Sequence, residues 1–160
     1  MRKVRAAQTP QPEVQNAFLD VWIESKMLRP NVGSHPVLAA ALRVLFQCNY
    51  SGPSLTLYRG AGSNKRRCRL YGFAWTTDID VARKFARDEA VSACKATARD
   101  SANRTIEALC PALEGVILQT LAPPEAILLS RKPEKYYGEE EVIVDPFRLG
   151  KVKVIERLRG

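Results

Sequence analysis

The segment Glu139-Glu140-Glu141-Val142-Ile143-Val144-Asp145-Pro146 runs three carboxylates straight into a short β-branched strand. Side chains alternate faces along a strand, so Glu139, Glu141 and Ile143 share one side, and Glu140, Val142 and Val144 the other. Two acids spaced in this way point into one cleft, and a cationic group passing between them relieves their repulsion. A second stretch, Leu57-Tyr58-Arg59-Gly60, sets an arginine at a strand end beside glycine. Backbone can approach a ligand closely there, and the guanidinium fork suits a phosphate. A third, Gly72-Phe73-Ala74-Trp75-Thr76-Thr77-Asp78, is an aromatic strand that ends in paired hydroxyls and feeds a helix. Taken singly, each has an ordinary structural reading: a solvated strand start balanced by Arg131, Lys132 and Lys135, an arginine meeting water, and two capping threonines.

The elements that must position these residues divide the chain into a helical front and a strand-rich back. Residues 11–28 carry Val14, Phe18, Trp22 and Met27 at roughly helical spacing, and 36–48 is a second apolar helix opening at Pro36. Gly52-Pro53 breaks the pattern. A strand over Ser54–Tyr58 ends in Arg59-Gly60-Ala61-Gly62, a basic loop follows (Lys65, Arg66, Arg67, Arg69), and a short strand spans Leu70–Trp75. Asp78 is the expected N-cap of a helix with Val81, Ala82, Phe85 and Ala86 on one face, running toward Ala98. Strands are expected over 115–121, 126–130, 140–144 and 151–156, with turns at Pro123-Pro124, Gly138, Pro146 and Gly150. The fold class is α+β in a single domain, 1–53 forming the helical front and 54–157 the core.

Composition bounds the possibilities. A chain of 160 residues with 46% hydrophobic side chains has enough apolar material for one real core. No apolar run reaches membrane-spanning length, and MRKVRAAQTPQPEV lacks the apolar stretch of a signal peptide, so a cytoplasmic protein is expected. Cys48, Cys68, Cys94 and Cys110 are widely spaced and His35 is the lone histidine. Reduced thiols and no metal site follow. The net charge of +8 suggests a polyanionic partner.

Together and in this order, the three stretches resemble the mono-ADP-ribosyltransferases of the arginine–serine–glutamate class. That family has an arginine on its first core strand, an aromatic-x-Ser-Thr-Ser strand, and a Glu-x-Glu entering a hydrophobic strand that ends near a proline. The counterparts are Tyr58-Arg59-Gly60, Phe73–Thr77 and Glu139–Pro146, within a match over about residues 54–157. Ala82 and Phe85 fit the helix that follows the second motif. The resemblance implies two small, mainly antiparallel sheets around an NAD cleft, preceded by N-terminal helices, with NAD as co-substrate and no metal. Glu141 is then the catalytic glutamate, and Glu139 the acid that positions or deprotonates the nucleophile. Arg59 holds the NAD phosphates and ribose, with Tyr58, Gly60, Trp75, Thr77 and Phe85 also expected at the NAD site. Tyr136 and Tyr137 lie on the turn where the family recognises its target. One departure stands out: Trp75-Thr76-Thr77 replaces Ser-Thr-Ser. Alignment on Phe73 puts Trp75 at the serine that normally holds the catalytic glutamate, so Thr76 or Thr77 is the expected support.

The acceptor is read from two features. Glu139 at its position favours a protein arginine by resemblance. Arg66 and Arg67 in the basic loop, with Arg83, Lys84, Arg87, Lys95, Arg99 and Arg104, favour a phosphate backbone. A small basic transferase is similar to phage and bacterial toxin and defence effectors, some of which modify nucleic acids. The expected partner is nucleic acid, RNA ahead of DNA, with a protein arginine close behind, an antitoxin as a further partner, and no membrane. The alternative from another class is a basic nucleic-acid-binding module whose carboxylates are structural.

Overall fold

The computed structural model describes residues 10–24, 33–47, 50–62, 71–100, 115–130 and 141–158. Helix α1 (Pro12–Glu24) opens with proline and Glu13 in its first turn, as the free N–H groups and dipole of a helix start favour. Helix α2 (His35–Phe46) follows an extended Ser34 and ends where Gln47 turns left-handed at φ 50°. The Gln47 N–H closes this last turn on the Arg43 carbonyl at 2.9 Å. Strand β1 (Leu55–Gly62) precedes β2 (Ala74–Trp75) and α3 (Ile79–Asp100). The rest is strands: β3 (Gly115–Ala122), β4 (Ile127–Ser130) after a short 3-10 turn, β5 (Val142–Val144) and β6 (Lys153–Leu158).

The described residues are thus α+β, with three helices and two small antiparallel sheets, ordered β1-β3-β6 and β2-β5-β4. Four layers stack. Helices α1 and α2 cover the second sheet through Trp22, Leu38, Leu42 and Phe46, packed on Phe73, Leu128 and Ile143. The two sheets meet through Leu57, Ala61, Trp75, Val116, Leu118, Ile127, Val142 and Val144. Helix α3 covers the outer face of the first sheet through Ala82 and Ala86 on Ile117. Full burial of each large apolar side chain contributes on the order of 1.5–3 kcal/mol, so the three clusters account for much of the cohesion.

Several expectations are revised. Strand β1 does not end at Tyr58; it continues to Gly62, so Arg59 lies mid-strand, paired with Leu118. The glycines do not break the strand because they serve packing: a Cβ at Gly60 would meet the Ala82 carbonyl oxygen at 2.2 Å. The strand expected over 70–75 is ordered as a strand only at Ala74–Trp75, Gly72 having φ +69° and Leu70 lying outside the described residues. Phe85 leaves the shared face assigned to α3: Ala82 and Ala86 are buried while Phe85 is 46% exposed. No described helix is long and apolar enough to cross a membrane.

Candidate active site

Tyr58 lies in β1, Thr76 directly follows β2 and Glu141 directly precedes β5; backbone pairing joins the first two. The Tyr58 N–H donates to the Thr76 carbonyl at 2.7 Å, and the Thr76 N–H returns the bond at 3.0 Å. Strands β2 and β5 pair Ala74 with Ile143 and Trp75 with Val142. Thr76 directly follows this paired segment on one strand, and Glu141 directly precedes it on the other. The isolated Tyr58–Thr76 bridge is also where the edges of the two sheets touch.

Alternation decides which way Glu141 faces. It shares a side with Ile143, which is buried among Trp22, Leu42 and Phe73. The carboxylate accordingly meets α1: Trp22 Nε1 donates to Glu141 Oε1 at 3.2 Å. The indole is itself 4% exposed and held by rings, edge-on to Phe73 at 6.2 Å and tilted against Phe18 at 5.9 Å. His35, exposed at the start of α2, stacks on the other side of this wall, 5.7 Å from Phe73 and nearly parallel to it.

The Asp-Pro end of β5 fixes this carboxylate from the other direction. Asp145 is fully buried and accepts from Arg43 Nε at 2.6 Å, with Arg148 Nε at 3.4 Å and the Phe147 N–H at 3.0 Å. Its own N–H donates to Ala126 at 2.8 Å, and the Val144 N–H to Phe73 at 2.8 Å. A buried carboxylate holding this many donors is compensated, and it locks the strand that presents Glu141.

Arg59 leaves β1 on the side of Leu57 and Ala61. Its Nη1 donates to the Ala74 carbonyl, tying β1 to β2, and a Cβ at Gly72 would lie 2.9 Å from its Nη2. Glycine at 72 thus answers two demands, the positive φ and the room for the guanidinium. The Tyr58 hydroxyl accepts from Gln119 Nε2 at 3.4 Å. Thr76, 6% exposed, accepts the Asp78 N–H on its Oγ1 at 3.1 Å, and Asp78 Oδ1 in turn accepts the Asp80 N–H at 2.8 Å, capping α3 as expected.

The residues expected at the NAD site therefore divide. Tyr58 and Thr76 meet where the sheets touch, with Thr77 next to them and half-buried. Arg59 adjoins Tyr58 on the side of the core between the sheets, while Glu141, just before β5, faces α1. Trp75 lies in the core between the sheets, 2% exposed, its Nε1 on the Gly72 carbonyl at 3.3 Å. Gly60 packs under α3, and Phe85 stands exposed on that helix. Glu139, Tyr136, Tyr137, Arg66 and Arg67 lie outside the described residues, as do the side chains of all four cysteines.

Sequence reading missed Trp22 as a neighbour of the site, and gave Phe73 and Asp145, both within its motifs, no role there. Trp22 did carry a signal, as a large aromatic on the apolar stripe of α1. Arg43 carried another, as the one charged residue between Pro36 and Gln47. Neither signal names a partner a hundred residues away. No family model matches the chain, and neither a curated protein nor a solved structure does.

Proposed function

We propose that this chain is an NAD-dependent mono-ADP-ribosyltransferase of the arginine–serine–glutamate class, a cytoplasmic toxin or defence effector. In this reading the two sheets form an ADP-ribosyltransferase-like fold, and NAD lies in a cleft at the seam between them. The observation that supports the reading is the meeting of Tyr58, next to Arg59, with Thr76 at that seam, while Glu141 leads into the strand that pairs with β2.

The chemistry needs these residue types. The bond between C1′ of the ribose and the nicotinamide nitrogen breaks, and its electron pair leaves with neutral nicotinamide. Positive charge grows on the ribose, as in glycoside hydrolysis. The Glu141 carboxylate offsets that charge and accepts a ribose hydroxyl, while Arg59 would hold the phosphates. The acceptor atom then bonds to C1′ and gives up its proton, by the resemblance to Glu139. With water as acceptor, the products are ADP-ribose and a proton.

The acceptor in this proposal is nucleic acid, RNA ahead of DNA. The net charge of +8 supports it, with Lys84 and Arg87 on exposed positions of α3. Incubation with NAD labelled in the adenylate phosphate, offered RNA, DNA and an arginine-rich protein separately, tests both halves. Nicotinamide release and label in RNA are expected. Label in the protein would redirect the acceptor to arginine, and intact NAD would leave a binding module.

A further inference from the structure

The serine that normally holds the catalytic glutamate in the resembled class is replaced here by Trp75, and Trp75 does not take over its task. Its indole donates to the Gly72 carbonyl inside the core between the sheets. The Thr76 hydroxyl accepts from the Asp78 N–H as part of the α3 cap. A donor that does reach Glu141 comes from the front helices, through Trp22 Nε1 at 3.2 Å.

We infer that Trp22 is the positioning residue for Glu141, taking the place of the missing serine. The inference rests on the transferase reading. An indole is a donor only, with a single N–H in a rigid bicyclic frame. It can therefore hold one carboxylate oxygen, Oε1, and leaves Oε2 for a ribose hydroxyl. Trp22 is fixed for this task by its surroundings. Its ring is 4% exposed and packs edge-on to Phe73 and against Phe18, which in turn meets Phe46 of α2 at 6.1 Å. A donor held by this many rings orients its acceptor at little further entropic cost, the condition for preorganised electrostatics. The helical front, which carries no resemblance to the family, is thereby part of the working enzyme.

Two measurements test this with α1 left packed. Trp22 and Trp75 give two indole N–H resonances in a nitrogen-15 spectrum, assigned with Trp22→Phe. Glu141→Gln should move the Trp22 resonance and leave that of Trp75 in place; an unmoved Trp22 resonance overturns the contact. The second measurement is Trp22→3-benzothienylalanine, which exchanges the ring N–H for sulfur and keeps the bicyclic shape. NAD hydrolysis by this variant should lose roughly ten- to a hundred-fold in kcat with KM for NAD little changed, as for an interaction that acts in the transition state. In a Glu141→Gln background the same replacement should add nothing. A fully active wild type with an equally active benzothienyl variant overturns the positioning role alone. A wild type that leaves NAD intact overturns the transferase reading, and the positioning role with it.

Discussion

Arg43 Nε donates to the fully buried carboxylate of Asp145 across 2.6 Å, tying the last turn of α2 to the residue that follows β5. Arg43 keeps about a third of its side chain in water, and Arg148 stands at 3.4 Å as a second cation. Removing Arg43 would leave the buried charge with a weaker partner rather than with none. Arg43→Ala should therefore destabilise the fold by about 3 kcal/mol, toward the low end for a broken buried pair. Urea unfolding followed by circular dichroism measures it. A loss within experimental error would mean that Arg148 suffices.

The glutamates of the acidic run should separate by face. Glu141→Gln should lower both NAD hydrolysis and transfer by on the order of 10²–10³, because an amide still accepts a hydrogen bond but cannot offset positive charge. Glu139→Gln should depress transfer more than hydrolysis, since water needs less guidance than a bulky acceptor. Glu140→Gln should change neither. If Glu140 proves essential and Glu141 dispensable, the facing argument is off by one residue.

Arg59 and Gly72 should behave as a pair. Arg59→Ala should weaken NAD binding on the order of 10²-fold, as expected for a partly desolvated charge pair. Gly72→Ala should weaken it too, because the new methyl would stand 2.9 Å from Nη2. It should also lower stability by about 1–2 kcal/mol through the positive φ. Calorimetry on the two single variants and the double should give less than the sum of their effects. Unchanged affinity in Arg59→Ala would remove Arg59 from the site.

Gly60 should prove structural before it proves catalytic. A Cβ there would meet Ala82 O at 2.2 Å and Ala86 N at 2.4 Å, both backbone atoms of α3. Gly60→Ala should cost at least about 2 kcal/mol in denaturant unfolding, as overpacking against rigid backbone does. Wild-type stability with lost NAD binding would assign Gly60 to the ligand instead.

Production of the wild-type chain should slow the growth of the producing cell, and Glu141→Gln should relieve the effect. Growth curves of the two at matched expression decide it. Equal growth would remove the toxin reading and leave the transferase reading standing.

Much of the fold was legible because period and punctuation state it. Phe18 and Trp22 on the inner face of α1, the Asp78 cap, the β-branched run before Pro146 and the strands after Gly115 read directly from residue type and spacing, whereas Val14 of the expected stripe is exposed and Met27 lies outside the described residues. What misled was glycine in β1, where Gly60 looked like the end of a strand and is in fact the seat of a helix. Alternation along β5 put Glu141 and Ile143 on one face, and the structure has Ile143 on the side of α1 and α2. The partners across that face were not legible, because Trp22 and Asp145 find theirs, Glu141 and Arg43, through tertiary packing over sequence separations of 119 and 102 residues.

Those separations also set the order in which the molecule can be completed. Strand β1 finds its neighbour β3 only after the long stretch containing α3, and β3 then waits for β6, after β4 and β5. Pairings of such range close slowly, since loop entropy is lost before the contacts reward it. On a ribosome adding about 5–20 residues per second, Trp22 emerges roughly 6–24 s before Glu141 exists to meet it. A nascent chain therefore carries its indole without its carboxylate until a further 119 residues have been added, and the pair can form only after that.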